Sequence, residues 1–275
     1  MQTIDPHAVG SHYSQGQLAV RLTEALRLAG KNPDAPSTAD LAGVDEFHVR
    51  GREATLELAN LARLRRGARV LDVGGGIGGP ARTLASEFGC TVEVLDLTEE
   101  FVAVGESLTE RTGLSDRVTF RLGSALAMPY PDRSFEVVWS QHSSMNIAAK
   151  EILYREMSRV LQRRGTLVIF EIMAGPVQPI HFPVPWARAP EISSLVQPER
   201  VRELIESFGL RQVLWNDATS VSREWLASRL SASGPPMPLG LHVILGSDLK
   251  PMMENVLRNF DERRIVVIQG VFTRP

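Results

Sequence analysis

The chain is almost without cysteine: Cys90 is the only one in 275 residues. An intramolecular disulfide is therefore excluded, and a lone thiol fits a reducing compartment. Long apolar runs are missing too. No stretch approaches the ~20 apolar residues of a membrane-spanning helix, and the opening MQTIDPHAVGSHYSQG has no apolar leader segment. Neither sign of charge is in excess: 30 Lys and Arg stand against 32 Asp and Glu, a formal net charge of −2. Such a balance favours neither a nucleic acid nor an anionic membrane as partner. These absences predict a cytoplasmic protein. They leave a homodimer open. Internal repeats and low-complexity segments are also absent.

What is present is an alternation of strands and helices. ARVLDV, TVEVLD, RVTFRL, FEVVWS, GTLVIFEIM and a last RIVVIQGVF read as strands. PARTLASEF, the segment after Thr98, AAKEILYREMSRVL and PERVRELIESFG read as helices. Thr98 is expected as an N-cap, with Glu99 and Glu100 in the favourable first turn. Strands separated by helices imply an α/β fold with a parallel sheet covered on both faces. Residues 17–29 and 52–63 add helices ahead of the first strand. The expected division is an N-terminal helical lid over residues 1–50 and a main domain over 51–275. Within that domain, residues 174–196 and a helix-rich stretch over 220–262 break the alternation and are expected to cap a substrate site.

Between the first strand and its helix lies GGGIGG, five glycines in residues 74–79. A strand that ends in glycines and opens a helix lets a ligand approach the backbone and meet free N–H groups. Gly74, Gly76 and Gly79 fit the GxGxxG of dinucleotide sites. Gly74, Gly76 and Gly78 fit the GxGxG of S-adenosylmethionine sites. The surroundings discriminate. Asp96 ends the second strand, where a carboxylate can accept both ribose hydroxyls of an adenosine, with Leu97 beside it. Asp72, just before the loop, suits the ammonium of a methionine moiety and would repel a pyrophosphate. No Lys or Arg lies within the loop. A nicotinamide-dependent oxidoreductase and a non-catalytic cofactor-binding protein stay as the alternatives.

The set VLDVGGGIGG, VEVLDLTEE, GSALAMPYPDRSFEVVWS and MSRVLQRRGTLVIFE resembles the motifs of class I S-adenosylmethionine-dependent methyltransferases. FHVRGREAT, residues 47–55, resembles the segment that precedes the first motif in the type-11 branch, which includes sarcosine/dimethylglycine, tocopherol and phosphoethanolamine methyltransferases. The resemblance implies a Rossmann-like seven-stranded sheet with helices on both faces, its last strand antiparallel, and helical lid segments at both ends. It implies S-adenosylmethionine as cofactor and S-adenosylhomocysteine as product. His48 and Gly51 are then expected at the methionine end, Ser124 and Ala125 at the adenine, and Gln141 against the cofactor. Ser124 stands where the family commonly has Asp. SQHSSMNI gives His142 and Asn146 where phosphoethanolamine methyltransferases carry an Asp and a His four apart, which argues against a phosphobase substrate.

Methyl transfer from a sulfonium is an in-line displacement with a neutral leaving group, so the protein chiefly supplies alignment. A base helps where the acceptor has a proton to lose. His142, just past the fourth strand, is the candidate base or substrate orienter, and imidazole titrates near neutrality. Tyr13 resembles a lid tyrosine closing over the methyl. Glu171, at the end of the fifth strand, is expected to bind a substrate amine, and His181 to reach the substrate from IHFPVPWARAP. Five prolines between 176 and 190 stiffen that segment. Phe182 and Trp186 would make it one wall of a pocket, with Met145 and Met173 opposite. This favours an apolar or aromatic metabolite or small amine, methylated on N, O or C. No metal is expected, since no set of oxygen ligands is clustered at strand ends.

Overall fold

The structure, a computed structural model, describes residues 17–232 and 238–275. Seven strands form one sheet in the order β3-β2-β1-β4-β5-β7-β6. They are β1 (Arg69–Val73), β2 (Thr91–Asp96), β3 (Val118–Leu122), β4 (Phe135–Gln141), β5 (Leu161–Ala174), β6 (Arg211–Asp217) and β7 (Ile265–Thr273). β7 runs antiparallel to both β5 and β6. The remaining pairings are parallel, as helical crossovers require. α4 (Gly79–Phe88) crosses from β1 to β2, α5 (Glu99–Arg111) from β2 to β3 and α6 (Lys150–Val160) from β4 to β5, while α7 (Pro198–Ser207) leads to β6 at the far edge. The chain leaves β1 toward β2 and β3, then returns to lay β4 on the other side of β1. Strand order reverses there, so a crevice opens at the carboxyl ends of β1 and β4.

Period-2 alternation sorts the side chains. Val70, Val94, Trp139 and Phe170 share one buried cluster with residues of α3 (Gly51–Leu61) and α4. Leu71, Val138, Ile169 and Met173 share another with α6 and α7. By the same alternation Asp72 and Gln141 fall on the α3 side, whereas Ser140 and Glu171 fall on the α6 side. A third cluster joins α1 (Leu18–Leu28), α2 (Thr38–Asp45) and α5 to α9 (His242–Leu245), through Leu22, Leu26, Leu41, Phe101, Val104 and Ile244.

Two local expectations change. Thr98 precedes α5, but its side chain makes no capping hydrogen bond. Asp96 Oδ1 instead accepts the Thr98 N–H at 2.9 Å. After Ala174, the last residue of β5, the segment to residue 196 contains an isolated bridge between Val184 and Ala187 and a short 3-10 turn, Pro190–Ile192. It packs inward: Trp186 is buried and donates from Nε1 to Ser193 Oγ at 3.0 Å, and Asn146 Nδ2 donates to the Trp186 carbonyl at 2.7 Å. In the later stretch, α8 (Thr219–Ser231) and α10 (Leu249–Asp261) send Leu226, Val256 and Phe260 into the α3-side cluster. No helix among the described residues is long and apolar enough to cross a membrane.

The N-terminal helices are tied to the glycine segment by an ion pair. Arg82 of α4, fully buried, donates to Asp45 Oδ2 at 2.8 Å and to Thr109 Oγ1 at 3.0 Å. Burial pushes the Asp45 carboxyl up to about 6, even against the Arg82 charge. Gly79 makes the approach close, since a Cβ there would lie 2.1 Å from the Asp45 carbonyl oxygen. Gly79→Ala therefore forces backbone apart and is expected to cost about 1–3 kcal/mol. Denaturant melts should show a lower midpoint with unchanged slope. A midpoint equal to wild type would contradict this docking.

Candidate functional site

The crevice at the carboxyl ends of β1, β2 and β4 holds a cavity lined by the glycine loop, the end of β2, residues 123–126, and residues 141–143 and 146–149 at and after the end of β4. Phe47 and His48 reach it from the N-terminal segment and Ile244 from α9. Asp72, Gly74, Gly76, Asp96, Leu97, Ser124, Ala125, Gln141, His48 and His142 all line it.

Asp72 is the electrostatic centre. It is buried, and its Oδ2 has no hydrogen-bond partner. A Cβ on Gly75 would sit 2.5 Å from that oxygen, so only glycine lets the loop lie on the carboxylate. Burial, together with the charges of Glu46 and Asp96, pushes Asp72 up to about 8. A cation placed there would reverse that shift. Asp96 is differently satisfied: Oδ2 accepts the Gly76 N–H and Oδ1 the Thr98 N–H, each at 2.9 Å. Two backbone donors fix the carboxylate and leave lone pairs for a diol. Burial still raises it above the ordinary carboxylate value. No Lys or Arg is among the lining residues, so nothing there neutralises a pyrophosphate.

Gln141 is oriented from below. Trp139 Nε1 is a donor only and sits 2.7 Å from Gln141 Oε1, so the amide NH2 faces away from the indole. That Nε2 is buried without a partner. Beside it Glu46 gathers donors: Thr83 Oγ1 at 2.6 Å, Thr55 Oγ1 at 2.7 Å and His48 Nε2 at 3.0 Å. Burial raises the Glu46 carboxyl, but the His48 and threonine contacts outweigh it and hold the group below its ordinary value. His142 has a left-handed backbone, φ 50°. Its Nδ1 lies 3.0 Å from the Phe170 carbonyl, an acceptor, so the ring proton is on Nδ1. Nε2 is then an unprotonated acceptor, buried and unpartnered. The ring lies against Phe170 at 4.8 Å and His48 at 5.9 Å between centroids. Burial, then the His48 charge, push His142 down to about 3. The expectation of an imidazole titrating near neutrality is corrected accordingly: this His is neutral and accepts hydrogen bonds.

Several expected site residues lie elsewhere. Gly78 is outside the lining; at φ 82° it caps α4, and a Cβ would meet Phe120 at 2.5 Å. Gly51 opens α3 with its N–H on the His48 carbonyl. Glu171 is fully buried on the α6 side and cannot meet a substrate amine; its carboxylate takes the Ser140 hydroxyl at 2.6 Å. His181 is outside the lining; it sits 2.7 Å from Glu262, just past α10, and its backbone N–H donates to Asn259 Oδ1 of α10 at 2.8 Å. Phe182, Trp186 and Met145 pack into the α3-side cluster because residues 174–196 fold onto the sheet. Tyr13 lies outside the described residues. Ser124 lines the cavity with its Oγ engaged, accepting the Leu126 N–H at 3.2 Å.

Some lining residues carry no expectation from the sequence. Phe47, Phe101 and Ile244 supply apolar walls, and ordinary core positions give the same sequence signal. Ser143 also lines the cavity; its signal was the pair of serines directly after the β4 strand. Among the described residues there is no group of three or more His, Cys, Asp or Glu able to hold a metal ion.

Residues 71–169 match the family model of the type-11 methyltransferase domain. The methyltransferase GfsG of Streptomyces halstedii is 33% identical over 167 residues, 60% of this chain and 58% of that protein. A sarcosine/dimethylglycine N-methyltransferase of Halorhodospira halochloris is 28% identical over 61% of each chain. The chain thus spans less than two thirds of the length of these relatives. Among solved structures, a phosphoethanolamine N-methyltransferase of Haemonchus contortus aligns with TM-score 0.74 at 19% identity, covering 97% of this chain and 60% of that one. The [4+2]-cyclase SpnF aligns with TM-score 0.64 at 23% identity, covering 94% and 95%. These likenesses are of fold. The stretch that matches the methyltransferase domain model, residues 71–169, runs from β1 into β5 and holds Asp72, the glycine loop, Asp96, Gln141 and His142.

Proposed function

We propose that the chain transfers a methyl group from S-adenosylmethionine to a hydroxyl of a small, uncharged, largely apolar metabolite. The observation that carries the reading is the buried Asp72 Oδ2 without a partner, beneath a glycine loop whose cavity has no Lys or Arg in its lining. A cationic amino acid moiety suits that end, and a dinucleotide does not. Asp96, fixed by two backbone N–H groups, would take the ribose hydroxyls. The backbone at Ser124 and Ala125 would meet the adenine, and the Gln141 amide the methionine carboxylate. The bound cofactor supplies an electrophilic methyl on a sulfonium whose loss leaves a neutral thioether.

The residues on this chain then align and relieve. His48 and Gln141, held by Glu46 and Trp139, keep the methyl end rigid, and alignment of this kind can be worth about 7–11 kcal/mol. His142 Nε2 accepts the hydrogen bond of an acceptor hydroxyl. As the oxygen–methyl bond forms, the hydroxyl becomes strongly acidic, so its proton passes to Nε2 even though burial holds the resting imidazole down to about 3; the Phe170 carbonyl on Nδ1 supports the transient imidazolium. A neutral acceptor fits because the lining carboxylates, Asp45, Asp72 and Asp96, are committed to Arg82 or assigned to the cofactor. Apolar residues such as Phe47, Ile147 and Ile244 complete the wall. The acceptor is a small molecule rather than a nucleic acid, in keeping with a formal net charge of −2.

Methyl-labelled S-adenosylmethionine with a metabolite panel, read by mass gain, identifies the acceptor; label on charged amines alone would contradict the hydroxyl reading. Asp96→Ala is expected to weaken S-adenosylhomocysteine by about 1.5–3 kcal/mol, the scale of a charged hydrogen bond, with the fold retained. An unchanged Kd would place the ribose elsewhere. His142→Ala should lower kcat on the identified acceptor at least about tenfold with little change in cofactor affinity. Equal kcat for the variant and wild type would leave His142 a packing residue.

A further inference from the structure

The mechanism above leaves one buried polar network without a task. Glu171 is fully buried on the α6 side of the sheet. Its Oε1 accepts the Ser140 hydroxyl at 2.6 Å, and its Oε2 accepts the Ser144 N–H at 3.2 Å. Ser140 Oγ lies 2.8 Å from Ser143 Oγ. Lys150 Nζ, also buried, donates to the carbonyls of Ser144 (2.6 Å), Ile147 (2.5 Å) and Ser194 (2.7 Å). A carboxylate and an ammonium thus pin the loop that follows β4, and that loop lines the cavity.

The chain of hydroxyls has a fixed direction. A serine hydroxyl carries one proton. Ser140 gives its proton to Glu171, so it can only accept from Ser143. Ser143 in turn gives its proton to Ser140, so only lone pairs remain for the cavity it lines. Ser143 is packed on the glycine loop: a Cβ on Gly74 would lie 2.5 Å from Ser143 Cβ and 3.1 Å from its Oγ. Asp72 Oδ2 bears on the next residue, Gly75. Two acceptors therefore flank adjacent loop positions, one charged and one forced into the accepting role.

We propose that Glu171, acting through Ser140, is a positioning residue that holds the Ser143 hydroxyl as an acceptor for the ammonium group of the bound methionine moiety. The inference rests on S-adenosylmethionine being the cofactor and adds a second ammonium ligand to Asp72. The buried carboxylate carries the polarity; its burial raises Glu171, and the Ser140, Ser144 and Lys150 contacts oppose that rise.

Glu171→Gln tests it without changing shape. The Ser144 N–H requires an acceptor, so the amide oxygen turns to it and the amide NH2 turns to Ser140. Ser140 then donates to Ser143, whose own proton is no longer drawn away from the cavity and is free to turn into it, where it opposes an ammonium. Calorimetry with S-adenosylhomocysteine and with its analogue lacking the amino group separates the roles. The expected result is that Glu171→Gln raises the Kd of S-adenosylhomocysteine at least tenfold and that of the deamino analogue less than twofold. Ser143→Ala, a half-buried position, should shift the same ligand selectively, and adding it to Glu171→Gln should cost little more. Equal losses for both ligands, or none for either, would overturn the proposal while leaving the cofactor reading intact. Failure of the wild-type protein to bind S-adenosylhomocysteine would overturn both.

Discussion

The Asp72 carboxylate under the glycine loop sets the terms for the rest of the site. It is buried on the α3 side of β1, and the loop comes down on it so closely that Gly75 has no room for a Cβ. A carboxyl whose folded-state value is raised from 3.8 to about 8 favours the protonated form. The sign follows: between those two values the native state binds the extra proton, so it loses stability as pH rises through that window. Folding retains such a group only if something else depends on it. In the function proposed here, that dependency is a ligand cation. It would restore the charged form and be held far more strongly there than at a solvated surface.

Around this centre the fold assigns each face of the sheet a separate duty. On the α3 side Trp139 fixes the direction of the Gln141 amide, and beside it Thr55 and His48 are both held on Glu46. The α6 side carries Ser140, Glu171 and Lys150, which fix the loop after β4 from beneath. Both converge at the strand-order switch between β1 and β4. Arg82 and Asp45 dock the N-terminal helices against the loop's helix, so the wall formed by Phe47 and His48 belongs to the same rigid body of packing as the sheet.

The sheet was legible because strand periodicity and glycine turns are local signals. RIVVIQGVF was placed correctly as the antiparallel strand, and Asp72, Asp96 and Gln141 line the cavity because strand ends in this topology all point to one edge. Residues 174–196 show where sequence cannot separate a pocket wall from core packing. A Pro-rich segment with Phe182 and Trp186 looks the same in sequence whether it faces a ligand or a hydrophobic core, and here the core takes it. Glu171 ends at the right edge but on the opposite face, a parity that a one-residue offset in strand register decides. His142 was found by position, yet its character depends on neighbours distant in sequence, Phe170 and His48. Ser143 needed the approach of Gly74 to acquire meaning.

The account turns on whether a cation discharges Asp72. Calorimetric titration of the protein with S-adenosylhomocysteine near pH 7, repeated in buffers of different ionisation enthalpy, counts the protons released on binding. Asp72, at about 8 in the free protein, is mostly protonated there and must ionise to face the ammonium. The expected outcome is release approaching one proton per ligand, an affinity that rises with pH and levels off above about 8, and loss of both effects in Asp72→Asn. Tight binding with no proton released and no dependence on pH would contradict the role given to this carboxylate.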